Sequence, residues 1–417
     1  MERRKDRILL CLCHLSGNEQ KFVQEAFDTN WVVPLGPNVN EFEKDLEEFV
    51  GQNKRVVALS AGTAAVHLAL LNCGVGPGDE VLVQSFTFCA SCHPIAYLGA
   101  TPVFIDSEKD TWNMDPELLE VAIKDRIAKT GKKPKAIVPV ALYGMPYKID
   151  RIMEIANKYE IPVVEDAAEG FGSKFNGQVL GTFGKYGVLS FNGNKMITTS
   201  GGGALITEDE DHWREIMMYA TQYRESYPYY QHEKIGFNYR MSNICAGIGR
   251  GQMTIVNEHI AHHKHVQKLY EELLKDVPGI EGHSQPATGE YDSNYWLCTI
   301  TIDENVKVKG QENAYKAIVT GAVGGAAGVI HAAKTATTDC QPNDNVEAMR
   351  MGLDALNIEA RPLWKPMHKQ PVYKDAPAYV NGISEALFKL GMCLPAGPYV
   401  SDDDVHFICE AIKGLII

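Results

Sequence analysis

From about residue 56 to residue 207 the chain alternates between short β-rich runs and stretches whose apolar residues recur at helical spacing, which narrows the possible folds sharply. The β-rich runs cover residues 55–59, 80–83, 101–105, 136–140, 161–164, 186–191 and 204–206. Helical spacing fills several of the gaps, at residues 63–71 and 149–158 for example. Asp115-Pro116 opens another helix, with a capping residue followed by a proline in the first turn. Strand–helix alternation predicts an α/β fold, with a mostly parallel sheet covered by helices on both faces.

The rest of the chain reads differently. Ser16, with Glu19 three residues on, predicts a capped N-terminal helix. Residues 255–277 predict one long helix that links two parts of the chain. With 417 residues there is room for two cores. The expected division is a large domain at 1–255, including the N-terminal helical segment, and a linking helix with a small C-terminal α+β domain at 256–417. Residues 317–336 are rich in Gly and Ala and nearly free of charge, which suits a small-residue helix or an insertion. Their glycines at 321, 324, 325 and 328 do not make the G-x-G-x-x-G of a nucleotide loop.

Charge and composition exclude several function classes. A formal net charge of −13 argues against nucleic acid and anionic membrane as partners. No apolar run approaches the roughly 20 residues of a membrane helix. The apolar stretch at residues 8–13 is too short for a signal-peptide core, so a cytoplasmic location is expected. The ten cysteines are scattered, and the C-x-x-C of Cys89 and Cys92 lacks the second pair a zinc site needs, so no metal is expected.

Three stretches carry chemistry. Ser60-Ala61-Gly62-Thr63-Ala64-Ala65 follows a strand and opens a helix, where free N–H groups and the dipole favour phosphate; an ordinary capped helix is the alternative. Val163-Val164-Glu165-Asp166-Ala167-Ala168-Glu169 ends an apolar strand in acids, where ligands bind in parallel sheets. A buried carboxylate there requires a cation, such as a protonated pyridine ring; two solvated loop acids are the alternative. Ser190-Phe191-Asn192-Gly193-Asn194-Lys195-Met196, with Thr198-Thr199-Ser200-Gly201-Gly202-Gly203 after it, places a lysine in a loop of small residues with space for a flat cofactor. A surface lysine is the alternative. Taken together and in this order, the three supply the phosphate cradle, pyridinium carboxylate and Schiff-base lysine that pyridoxal 5'-phosphate requires.

On these stretches, and on residues 85–91, Tyr143-Gly144, 236–242 and 361–368, the chain resembles the DegT/DnrJ/EryC1/StrS family of sugar aminotransferases over nearly its whole length. Asn192-Gly193-Asn194-Lys195 and the glycines after it are most similar to the UDP-N-acetylbacillosamine-type C4 aminotransferases. The resemblance implies a fold-type I transferase that moves an amino group from L-glutamate to C4 of a nucleotide-linked 4-keto-6-deoxy sugar, with UDP as the nucleotide, for surface glycan biosynthesis. It implies that Lys195 carries the cofactor and Asp166 faces its ring nitrogen. Gly62, Thr63, Ala64 and Ser190 bind the phosphate, Phe88 stacks on the ring, and Glu169 lies near the phenolic oxygen where relatives have Gln or His. Asn238 or Arg240 reaches the partner's phosphate in a homodimer with shared active sites, which makes 1–255 the cofactor-binding domain. Arg224, Arg361, Trp364, Lys365 and His368 are the substrate candidates, the cations being wanted for a nucleotide diphosphate.

Two departures bear on the substrate: Thr-Ser-Gly-Gly-Gly stands at 199–203 where many relatives have Thr-Gly-Glu-Gly-Gly, and residues 317–336 have no counterpart in the family pattern. Three other functions stay open. A sugar dehydratase on this scaffold carries His at the lysine position, which Lys195 opposes. An aminotransferase for another keto sugar (at C3) or for an amino acid remains available, with Arg361 on hand for a carboxylate. A non-catalytic cofactor-binding regulator normally adds a basic DNA-binding module, and none is visible.

Overall fold

The computed structural model describes residues 1–315 and 340–417, together with the backbone of two short paired strands, Thr320–Ala322 and Ile330–Ala332. The Gly/Ala-rich stretch at 317–336 otherwise lies outside the described residues.

Seven strands, with the short edge strand Ala378–Tyr379 parallel to β3, build the principal sheet: β1 (Arg55–Leu59), β2 (Glu80–Gln84), β3 (Thr101–Ile105), β4 (Ala136–Val138), β5 (Val164–Asp166), β6 (Tyr186–Ser190) and β7 (Gly203–Thr207). Their order is β1-β7-β6-β5-β4-β2-β3, β4 and β5 being joined by the parallel bridges Ile137–Val163 and Val140–Asp166. Neighbours run parallel except around β7, which is antiparallel to both β1 and β6. The expected mostly parallel sheet is therefore present.

Side-chain alternation along each strand divides the core in two. Val56, Ala58, Leu82, Val103 and Ile105 join one apolar cluster, while Val57, Leu59, Val81, Val83 and Phe104 join another. The helices Pro37–Val50, Pro116–Thr130 and Ile149–Tyr159 cover the first face through residues such as Phe42, Leu119 and Ile152. The helix Gly62–Asn72 covers the second through Ala65, Leu68 and Ala69. Because both faces are buried, these strands read as apolar runs rather than as alternating ones. Asp115 accepts hydrogen bonds from the Glu117 and Leu118 N–H groups, and left-handed Gly131 ends that helix.

The first helix departs from expectation. It spans Glu19–Asp28 with Asn18 at its cap, and Ser16 lies outside it. Only the reverse half of a capping box forms: the Glu19 carboxylate accepts from the Ser16 and Gly17 N–H groups, at 2.8 and 3.0 Å.

A third apolar cluster surrounds a smaller antiparallel sheet of Ile280–Gly282, Cys298–Ile302, Gly391–Leu394 and Arg361–Pro362. The long helix Val256–Leu274 leads into it, close to the 255–277 expected. The N-terminal arm reaches this cluster too, as Ile8 bridges Ile358 and the Leu10 carbonyl accepts from Ala396 N–H at 2.8 Å.

Candidate active site

Sheet topology brings the three chemical stretches to one edge. Asp166 ends β5 and Ser190 ends β6, while Ser60 follows β1 directly. Antiparallel β7 begins at this same edge, its Gly203 opposite both Leu59 and Ser190. A cavity of about 280 Å³ opens there, lined by Gly62, Thr63, Phe88, Asp166, Glu169, Ser190 and Lys195 among others.

The phosphate side is the start of the helix Gly62–Asn72. Its capping residue, Ala61, gives no side-chain hydrogen bond, so the first-turn N–H groups are left for a ligand. Ala64 sits in that first turn, just behind the cavity-lining Gly62 and Thr63. The approach of β7 is closer than any side chain permits: a Cβ on Gly203 would lie 2.4 Å from the Gly62 nitrogen.

On the opposite side Asp166 is buried. Its Oδ2 accepts from the Ser91 hydroxyl at 2.6 Å and its Oδ1 from Ala168 N–H at 3.1 Å. Both donors are neutral. Burial pushes the Asp166 carboxyl above its usual range, and the Ser91 and Ala168 bonds offset this only in part. The Lys195 ammonium also pulls it down, and burial still prevails. The acidic pair splits across the strand, since Glu165 points away from the cavity and its carboxylate accepts from Gly181, Phe183 and Gly184 N–H groups, at 3.1, 2.6 and 2.7 Å. Glu165 thus fastens a turn, while Asp166 and Glu169 face the cavity.

Lys195 sits in a restrained loop. Its N–H donates to the Asn192 carbonyl at 2.9 Å, the Trp296 indole N–H donates to the Asn194 carbonyl at 2.7 Å, and His259 contacts the Met196 carbonyl at 3.1 Å. Lys195 Nζ lies 3.5 Å from Glu169 Oε1 and 4.0 Å from the centre of the Trp296 ring. Glu169 Oε2 also accepts from Tyr143 N–H at 2.7 Å. Burial pushes the Glu169 carboxyl up, against the pull of the Lys195 ammonium. Phe88, half exposed, forms a wall with Trp364, their ring centres 5.4 Å apart.

Several expected residues lie elsewhere. Arg240 does not reach out of the fold: its guanidinium is buried against the Glu43 carboxylate and donates to the Ala58 carbonyl at 2.8 Å. A buried carboxylate demands such a partner, so this arginine is engaged in holding the helix Pro37–Val50 to β1. Asn238, expected at a partner's phosphate rather than in this cavity, is exposed and bridges its backbone to Thr221. Arg361 is held by Glu359 through two bonds of 3.0 and 2.6 Å, and Arg224 lies 4.8 Å over the Tyr230 ring. His368 pairs with the Ser85 hydroxyl at 2.6 Å, the satisfied loop histidine rather than a cavity residue. Trp364 does line the cavity, and Lys365 lines an adjoining one with Phe88 and Trp364. Among the described residues lining the main cavity, Lys195 is the one cation.

Sequence reasoning missed Ser91, Trp296 and Cys11. Ser91 ends the 3-10 turn Cys89–Ser91, 75 positions before Asp166, and Trp296 follows the long helix in sequence. The Cys11 thiol, backed against Trp296 and Lys195 by the N-terminal arm, is pushed up to about 12 by burial and so is neutral. No spacing within the chain signals any of them.

A sheet of this topology, with a phosphate-ready helix end, a buried acid and a restrained lysine at one edge, defines a pyridoxal-phosphate-dependent transferase of fold type I. The profile of the DegT/DnrJ/EryC1/StrS aminotransferase family matches residues 14–324 and 326–413, and the chain belongs to that family. EpsN of Bacillus subtilis strain 168, a candidate pyridoxal phosphate-dependent aminotransferase, is 41% identical over 98% of this chain and 96% of its own. The GDP-perosamine synthase of Caulobacter vibrioides is 34% identical over 99% of each chain. A solved DegT DnrJ EryC1 StrS aminotransferase from Brucella abortus superposes with a TM-score of 0.80 at 28% identity, over 95% of each chain. The protein is thus an enzyme, an aminotransferase that uses pyridoxal phosphate.

Proposed function

We propose that this enzyme transfers an amino group from L-glutamate to C4 of a UDP-linked 4-keto-6-deoxy sugar in surface glycan biosynthesis. The observation that carries the aminotransferase chemistry is the placement of Lys195, Asp166 and the open helix end at Gly62 around one cavity. The stretch Asn192-Gly193-Asn194-Lys195 supports the UDP branch. The GDP-perosamine synthase relative favours a second reading, in which the sugar carries GDP.

Each residue then has a defined task. Pyridoxal phosphate, when bound, supplies an electron sink for the carbon that bears the transferred nitrogen. Gly62, Thr63, Ala64 and Ser190 hold its phosphate at the helix end. Asp166 Oδ holds a proton on the ring nitrogen. Phe88 and Trp364 flank the cavity mouth and orient the ring. Lys195 Nζ attaches the cofactor and, once free, moves the proton between substrate carbon and cofactor. Glu169 sets the charge beside that amine. Lys365, in the adjoining cavity, is placed for the substrate's diphosphate.

We also propose a homodimer. Tyr229, Tyr230 and Ile235 are 61%, 78% and 88% exposed on the segment that precedes Asn238, apolar surface that a second subunit would cover. A fully active monomer in sedimentation would rule this out.

The test is a half-reaction. The pyridoxamine form is mixed with UDP-, GDP- and dTDP-linked 4-keto-6-deoxy sugars and with pyruvate. Consumption by the UDP sugar well ahead of the rest supports the first reading, and by the GDP sugar the second. Pyruvate as the fastest acceptor rejects both.

A further inference from the structure

Lys195 is attended by two groups whose presence cofactor attachment alone does not explain. Glu169 places Oε1 3.5 Å from Nζ, and the Trp296 ring centre lies 4.0 Å away. Both are buried, Glu169 at 5% and Trp296 at 2% exposure. A cation over an indole face is drawn to the ring quadrupole, more strongly where water is excluded. Trp296 is also fixed at both ends. Its backbone N–H donates to Asn294 Oδ1 at 2.8 Å, and its indole N–H to the Asn194 carbonyl, next in the chain to Lys195. The Asn294 amide in turn donates to the Glu169 carbonyl at 2.9 Å. One buried asparagine therefore sets the carboxylate and the indole relative to each other.

We infer that Glu169 and Trp296 form a seat for the Lys195 ammonium, in which Trp296 acts as a positioning residue. The inference rests on the reading that Lys195 carries the cofactor. Each turnover frees this lysine as a neutral amine that becomes an ammonium on taking up the substrate's proton, and on its four-carbon stem that ammonium otherwise swings into the substrate space. The seat holds Nζ near the reacting carbon until it returns that proton. Asp166 and the neutral Cys11 thiol are the other ionisable groups beside it.

The seat is tested on cofactor-free protein, so the readout does not depend on turnover or substrate identity. Lysines are pulsed with acetic anhydride across a pH series, and the midpoint of Lys195 modification is read by peptide mapping against exposed Lys124. In Trp296→Leu the Lys195 midpoint falls by roughly one pH unit, because the charged form loses its aromatic partner. Trp296→Phe, which keeps an aromatic face, restores most of the shift, and Glu169→Gln lowers the midpoint independently. A purely structural role for Trp296 admits water on its loss, which leaves the midpoint in place or raises it. An unmoved or raised midpoint in folded Trp296→Leu overturns the proposal. Should that variant not fold, an unmoved midpoint in Glu169→Gln does so. A lowered midpoint together with no cofactor attachment at Lys195 would keep the seat and remove the functional reading.

Discussion

Asp166 shows how much a single residue's surroundings decide. Two neutral donors hold it, and its carboxyl is pushed up by burial, which under the proposed function suits it to a cationic partner on the cofactor ring. Breaking one side of a buried ion pair typically costs about 3–5 kcal/mol. Asp166→Ala is therefore expected to lose activity by on the order of a hundredfold or more while circular dichroism stays native; near-normal turnover in the folded variant would contradict the role. Ser91 supports the same carboxylate through one hydrogen bond to a charged group, worth about 1.5–3 kcal/mol. Ser91→Ala should accordingly weaken cofactor binding by roughly tenfold or more in a spectroscopic titration. An unchanged affinity would mean that the Ser91–Asp166 bond contributes nothing to the bound state.

At the scale of elements, Arg240 acts as a fastener. Its pairing with Glu43 ties the helix Pro37–Val50 to β1, beside the strand edge where the cofactor site lies. Burial raises the Glu43 carboxyl even with Arg240 present, so removing the arginine leaves an uncompensated acid. Arg240→Ala should cost about 3–5 kcal/mol in chemical denaturation. Unchanged stability with weakened cofactor binding would instead favour a phosphate contact across a dimer. The positions of Asp166, Ser190 and the Gly62 helix were legible in the sequence because each lies at a strand end, and that of Lys195 because its loop joins two strand-like runs. The Arg240–Glu43 pair was not legible, because a motif match says nothing of where the side chain turns and Glu43 is 197 positions away. Trp296 and Ser91 reach the site through tertiary packing and leave no local pattern.

For the whole molecule, two buried histidines near the junction between the long helix and the segment carrying Trp296 contribute to the response to acid. His263 pairs with the Tyr295 carbonyl at 3.1 Å and is pushed down to about 3 by burial. His283, stacked on Trp112 at 3.7 Å, is pushed down to about 4. Unfolded histidines take up a proton near pH 6.5, whereas these resist until far lower. The unfolded state thus binds more protons through that window, and stability falls as pH drops from about 7 toward 4. The buried carboxyls, raised rather than lowered, titrate with the opposite sign, so the comparison must be with a variant. The melting temperature of His263→Phe should fall less than that of wild type between pH 7 and about 5; parallel curves would show that His263 takes up its proton in the native state. Three apolar clusters support the strand edge at which Lys195 lies, and the proposed function rests on that amine. Borohydride reduction of the holoenzyme, followed by proteolysis and peptide mapping, should place the pyridoxyl group on Lys195. A pyridoxyl group on any other lysine would contradict the account.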